Sequence, residues 1–250
     1  MLRAKLCCAT LLVALLWSAA GTATAEERIE LPTRPGVAQP VFFTAAETPR
    51  RSAVLFIGSE GAFSGSWRNN FLARIADRFV AQGISVAIPG APSDHAGGMS
   101  DGFRAGSEHA ADIAAVLVFL QQRAPVPVWL IGTSRGTISA AAVATRLGPP
   151  RVAGLVLTST VWSSLRGATS LEDVRVPTLV VHNHDDGCRE SPFSAASDGM
   201  AALQRAAVKE FIAVSGGTSR SSPCQALSPH GYYGIEDQVA PPIIAWIQAH

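Results

Sequence analysis

A serine between glycines, two adjacent aspartates and a late histidine give this sequence the means for nucleophilic chemistry. Gly132-Thr133-Ser134-Arg135-Gly136 reads G-x-S-x-G. A serine hydroxyl is a weak nucleophile until an imidazole accepts its proton and a carboxylate orients that imidazole. His182-Asn183-His184-Asp185-Asp186 offers two carboxylates, and Ser228-Pro229-His230-Gly231 offers a later imidazole. Such a set would transfer an acyl group to water. A second G-x-S-x-G stands at Gly98-Met99-Ser100-Asp101-Gly102. The motif works only with a strand before it and a helix after it, because a sharp turn must expose the hydroxyl. Ser134 follows Val128-Trp129-Leu130-Ile131 and opens an Ala-rich stretch, whereas Ser100 follows the polar run from Pro92 to Gly97. The second match is read as chance.

The elements that must hold these residues are legible as compact apolar runs. They are Ala53–Ile57, Ile84–Ile88, Val126–Ile131, Val152–Leu157, Val176–Val181 and Lys209–Val214. Apolar residues at successive rather than alternate positions suit strands buried on both faces of a parallel sheet. Two further short strands are expected near Arg28–Leu31 and Val41–Thr44. Between the runs, helical spacing predicts helices over Trp67–Gln82, His109–Gln122, Ser134–Leu147, Ala195–Ala207 and Ile235–Gln248, the third ending at Gly148-Pro149-Pro150. Alternating strands and helices imply an α/β fold with a mostly parallel, doubly wound sheet and helices on both faces. Thr158 to Arg175 is too short for a large lid domain, so an open site is expected.

With the elbow, the acid loop and the histidine loop in place, the chain resembles the α/β-hydrolase superfamily over essentially residues 26–250. That resemblance implies the order serine, acid, histidine, each at a strand's C-terminal end. It implies Ser134 as nucleophile, His230 as base and then acid, and a carboxylate after Val176–Val181 to orient His230. The family often has H-G-x-x-D at its acid. Here Asn183 replaces the glycine, and counting from His182 favours Asp186 over Asp185. The oxyanion hole would use the backbone N–H of Arg135 and one from Gly58-Ser59-Glu60-Gly61, with Ser59 and Glu60 both open as donors. This loop lacks the His-Gly of many relatives, and Glu60 also reads as a plain surface turn residue. The Arg135 side chain could also meet an anionic substrate. Secreted cutinases and polyester hydrolases of the superfamily carry disulfides near their C-terminal catalytic loops. Thr133 and Arg135 stand where those enzymes usually place an aromatic and then Met or Gln, which points away from a polyester. No metal or organic cofactor is implied, and the substrate would be a small or polymeric acyl compound, a carboxylic ester by default.

The N-terminus sets the expected compartment. A basic start, an apolar run from Leu6 to Trp17 and Ala23-Thr24-Ala25 form a signal peptide pattern over residues 1–25. The run is too short to span a bilayer, so no stable membrane anchor is expected after cleavage. A single domain over 26–250, secreted or periplasmic and monomeric, is the expectation. Of four cysteines, Cys7 and Cys8 lie in the signal, leaving Cys188 and Cys224 to form one disulfide in an oxidising compartment. That bond would join the acid loop to the histidine loop. With 20 basic and 19 acidic side chains, the net charge of +1 excludes a mainly electrostatic role such as nucleic-acid binding.

Two other functional classes compete with acyl transfer. His182-x-His184-x-Asp186 also reads as the start of a zinc motif. Gly187 stands where that motif expects another histidine, and the serine elbow would go unexplained. A non-catalytic binding protein on the same fold is the other rival. Asp94 and His95 fall on the expected catalytic edge, and Trp67, Met99 and Trp162 are candidates to line a pocket. His109, between Glu108 and Asp112, is expected to be partly exposed.

Overall fold

A computed structural model describes residues 25–250. Of the expected signal segment, residues 1–25, only Ala25 falls among them. The chain runs through β1 (Glu27–Pro32), β2 (Ala38–Thr44), β3 (Arg51–Phe56), α1 (Phe71–Arg74), α2 (Ala76–Ala81), β4 (Ile84–Pro89), α3 (Asp101–Ala105), α4 (Ser107–Arg123) and β5 (Val128–Thr133). It continues through α5 (Gly136–Arg151), β6 (Gly154–Thr158), α6 (Trp162–Ala168), β7 (Thr178–Asn183), α7 (Ala196–Ala202), β8 (Lys209–Val214) and α8 (Glu236–Ala249).

The eight strands form one sheet in the order β1-β2-β4-β3-β5-β6-β7-β8. β2 pairs antiparallel with both β1 and β4; every other pairing is parallel. The apolar runs sort onto two faces with period two. Leu55, Ile57, Ile131, Val156 and Val181 pack with Phe71, Ile75 and Phe79 and with Val239, Ile243 and Ile247 of α8. Val54, Phe56, Leu130, Leu157 and Val180 face Ile113 and Val116 of α4, Ile138 and Val143 of α5, and Trp162 of α6. Helices thus cover both faces, which is why the central strands read as continuous apolar runs.

Some boundaries differ from expectation for local reasons. Trp67–Gln82 is not one helix but a short 3-10 turn at Trp67–Asn69 followed by α1 and α2. Asn70 is extended (φ −55°, ψ 140°), and its side chain accepts from the Leu72 N–H, capping α1. The spacing of Phe71, Ile75 and Phe79 still buries all three. The regular turns of α5 end where expected, since Gly148 and Pro149 have non-helical torsions. α6 occupies the expected open segment, and its Trp162 and Leu165 are fully buried, so it belongs to the core and is no lid.

Candidate active site

Ser134 sits in the turn from β5 to α5 with φ 53°, a left-handed conformation unusual for a non-glycine residue. Its N–H donates to the Thr158 carbonyl at the end of β6 (3.0 Å). The flanking glycines have a steric reason. A Cβ on Gly132 would lie 2.5 Å from the Gly136 carbonyl oxygen, and one on Gly136 would collide with the Phe56 carbonyl of β3. The strand, turn and helix therefore pack too closely for any side chain. Ser100, by contrast, caps α3 by accepting from the Phe103 N–H (3.1 Å).

The loop after β3 makes the opposite wall. Gly61 N–H donates to the Gly58 carbonyl (3.1 Å), closing a turn in which Ser59 has φ 50°. Gly58 lies so close that a Cβ there would be 3.0 Å from the Ser134 Cβ. The backbone N–H groups of Ser59, Glu60 and Arg135 have no acceptor among the described residues. Ser59, Ser134 and His230 line one small cavity of about 20 Å3, room for roughly one water. Glu60 lines only the adjoining cleft of about 230 Å3, which shares Gly58, Ser59, Asn70 and Ala226 with that cavity. Its carboxylate lies 3.3 Å from the Arg135 guanidinium. Arg135 also donates to Asp101 (2.7 Å) and to the Met99 carbonyl (3.2 Å). Its side chain is thus held against Glu60, Asp101 of α3 and the Met99 carbonyl, and stays part exposed.

The acid and the histidine meet below this cavity. Asp186 Oδ2 lies 2.9 Å from His230 Nδ1, and the Asp186 side chain is fully buried. Asp186 Oδ1 accepts from the Cys188 N–H (2.8 Å). Asp185 turns outward instead, half exposed, and accepts from the Gly216 N–H (2.6 Å). His230 Nε2 is buried with no hydrogen-bond partner among the described residues, and the Ser134 hydroxyl makes no hydrogen bond with it. Catalytic hydrogen bonds are often this loose before substrate arrives.

Several supports escaped the sequence. Ser191, fully buried, donates to Asp186 Oδ2 (2.7 Å) and lies 2.9 Å from His230 Nδ1. Its carbonyl binds His182 Nε2 (2.8 Å). Burial holds the His182 pKa below its ordinary value, against the opposing pull of the Ser191 carbonyl and Asp186. Ser159 donates to the His230 carbonyl (2.6 Å), and Asn183 donates to the Pro229 carbonyl (2.9 Å). The Tyr232 hydroxyl donates to the Val181 carbonyl (2.8 Å) and accepts from the Ser159 N–H (3.0 Å). Arg74 donates to the Gly231 carbonyl (2.6 Å) and also to those of Asn69 and Ala226, joining the two walls of the cleft. The expected disulfide Cys188–Cys224 adds a covalent tie between the acid and histidine loops, with Cα atoms 4.5 Å apart.

The other candidates disperse. His182 is buried while His184 is exposed beside Phe193, so the His182-x-His184-x-Asp186 reading brings no three ligands together. Among the described residues no group of three or more His, Cys, Asp or Glu side chains could hold a metal ion. His109 is fully buried against Phe56 and Phe103, contrary to expectation. It lies one turn before Ile113 and so shares that residue's buried face. Asp94 pairs with Arg34 (2.9 Å), and His95 packs on Phe103. Trp67 lines the cleft, Met99 lies buried beneath Gly61, and Trp162 is in the core.

Comparison with solved structures identifies the fold. The chain is similar to a lidless α/β serine hydrolase from Xanthomonas campestris, at 17% identity and a TM-score of 0.66, covering 91% of this chain and 96% of that one. It is similar to a cold-adapted esterase from an Arctic intertidal metagenomic library, at 17% identity and 0.58, covering 86% and 91%. It is also similar to an acylaminoacyl peptidase from Pyrococcus horikoshii, at 10% identity and 0.65, covering 91% of this chain and 42% of that one. The described residues have the α/β-hydrolase fold, with no lid domain among them. No protein-family profile matches it, and no curated protein does.

Proposed function

We propose that this chain is a serine hydrolase that cleaves a carboxylic ester through an acyl-enzyme. The observation that carries the reading is one cavity holding Ser134 on a left-handed turn and His230, whose Nδ1 is 2.9 Å from the buried Asp186. In this reading Ser134 Oγ attacks the carbonyl carbon as His230 Nε2 takes its proton. His230 then gives that proton to the leaving alcohol, and water repeats the cycle on the acyl-enzyme. Asp186 and Ser191 fix the imidazole with Nε2 facing the cavity. The N–H groups of Ser59 and Arg135 receive the oxyanion. The cleft adjoining the Ser134 cavity is walled by Ser64, Asn69, Ser221 and Gln225 on one hand and by Ile57, Trp67 and Leu227 on the other, a mixed polar and apolar lining.

A fluorophosphonate probe tests the reading directly. Labelling of the wild type, lost in Ser134→Ala together with hydrolysis of chromogenic acetate esters, is the expected result. An unlabelled but folded wild type with no esterase activity would favour a binding protein instead. Activity that survives in Ser134→Ala and is abolished by a chelator would favour a metal-dependent reaction.

The proposal extends to location: removal of residues 1–25 and export to an oxidising compartment. The Cys188–Cys224 disulfide supports it. The mass of the mature chain from a periplasmic or culture fraction checks it, with Glu26 expected as the first residue.

A further inference from the structure

Arg104 is the anomaly of the nucleophile side. It stands in α3, is 1% exposed, and is among the largest fully buried side chains. Taking a guanidinium out of water costs several kcal/mol, so its partners must repay that cost. Among the described residues no carboxylate hydrogen-bonds to it. Nη2 donates to the Ser59 carbonyl (3.0 Å) and Nη1 to the Ser139 hydroxyl (3.0 Å), while Nε has no partner among the described residues. Burial, with the nearby charge of Arg135, lowers its pKa to about 10, which leaves it cationic at neutral pH. Its fork fills the space under Gly61, where a Cβ would lie 2.6 Å from Nη2.

The carbonyl it holds belongs to the turn that faces Ser134. Ser59 is in the left-handed region at φ 50°, which is unfavourable for a non-glycine residue. Each peptide unit is planar and trans, so the direction of the Ser59 carbonyl fixes the direction of the Glu60 N–H opposite it. The same anchor fixes the torsions of Ser59 and thereby holds the preceding peptide, which carries the Ser59 N–H. Without it, the Ser59–Glu60 peptide can rotate, Ser59 can relax to negative φ, and the Ser59 N–H loses its fixed direction. Arg135 Nη1 reaches the same oxygen only at 3.4 Å, from a more exposed position.

We propose that Arg104 is a positioning residue for the oxyanion hole: its buried guanidinium grips the Ser59 carbonyl and keeps the Gly58–Gly61 turn in its acceptor-binding form. The proposal rests on the serine-hydrolase reading above. Arg104 touches no reacting atom. It acts through the turn, so its loss should weaken transition-state binding more than substrate binding.

The test uses the full oxidised chain, with Arg104→Met, Arg104→Lys and Ser139→Ala compared for melting temperature and for kcat and KM on an acetate ester. In a folded Arg104→Met, kcat is expected to fall about 100-fold or more, the usual scale for one lost oxyanion donor. KM should stay within about threefold, and the pH midpoint of the rate should not move, because His230 is untouched. Arg104→Lys keeps a cation but loses the fork, and should lose about tenfold in kcat. Ser139→Ala removes only the other partner and should leave kcat within about threefold. A folded Arg104→Met with near wild-type kcat, or a loss carried wholly by KM, would overturn the proposal. If Arg104→Met does not fold, wild-type kcat in Arg104→Lys overturns it. Fluorophosphonate labelling separates the two readings. A labelled wild type with unimpaired Arg104 variants sinks only this proposal, whereas an unlabelled wild type sinks the serine-hydrolase reading itself.

Discussion

The nucleophile side and the histidine side of the cavity are built by opposite means. Ser134 is placed by exclusion: β5, its turn and α5 approach so closely that Gly132 and Gly136 admit no side chain. His230 lies in a long irregular connection between β8 and α8 and is placed by attachment. Ser159, Asn183, Tyr232, Arg74 and the disulfide fasten it to the end of β6, to β7 twice, to α1 and to the acid loop. The first side tolerates no added volume. The second is close-packed at Gly231, where a Cβ would lie 2.0 Å from the Ala226 carbonyl oxygen, but it depends above all on polar partners drawn from the whole chain.

The contrast can be broken most sharply at the acid. Asp186→Asn should lower kcat by roughly 10⁴-fold, while Asp185→Asn, whose carboxylate meets only the Gly216 N–H and His184, should change it less than about threefold. Steady-state kinetics on both variants decide, and the reverse ranking would reassign the acid. The steric half comes next. Gly136→Ala should destabilise the fold by about 3 kcal/mol or more. Gly187→Ala, on the histidine side, would place its Cβ 3.6 Å from Pro223, an ordinary contact, and should cost less than about 1 kcal/mol. Urea titrations compare the two. Breaking the disulfide with Cys188→Ser and Cys224→Ser together should cost roughly 3 kcal/mol, again by denaturant midpoint.

The smallest effect separates two buried histidines. Burial, aided by Arg104 and Arg34, lowers the His109 pKa from 6.5 to about 3. The folded state therefore keeps His109 neutral while the unfolded chain takes up a proton below about pH 6.5. Its contribution to stability is complete above that pH and is lost as pH falls toward 3, at up to ~1.4 kcal/mol per pH unit. His109→Phe should flatten the decline of unfolding free energy between pH 7 and 5. An unchanged slope would assign the acid sensitivity elsewhere, with His182, also depressed by burial, the next residue to test.

The two sides also differ in how far the sequence discloses them. The elbow is a local steric object, so glycine spacing between an apolar run and an Ala-rich helix was enough to place Ser134. The two-faced sheet was equally legible, because strands buried on both sides leave unbroken apolar runs. The fastenings of His230 were not. Ser191, Ser159 and Arg74 meet it only through turns distant in the chain, and their residue types are common on surfaces. Arg104 shows the same limit, since nothing in its type or neighbours distinguishes a buried guanidinium from an exposed one. His109 was legible but outweighed: its spacing from Ile113 marks the buried face, while the adjacent Glu108 suggested water.

The disulfide bears on how long such a molecule survives among proteases. Between Cys188 and Cys224 the chain passes exposed basic residues, among them Arg205 and Lys209. A nick after Arg205 would sever the backbone between acid and base, yet the two fragments would stay covalently joined beside the site. Such a molecule would migrate as one chain without reductant and as two with it, and β8 would still be paired along β7. Cleavage that would ordinarily end a protein's working life becomes, in this stretch, a wound the architecture can carry.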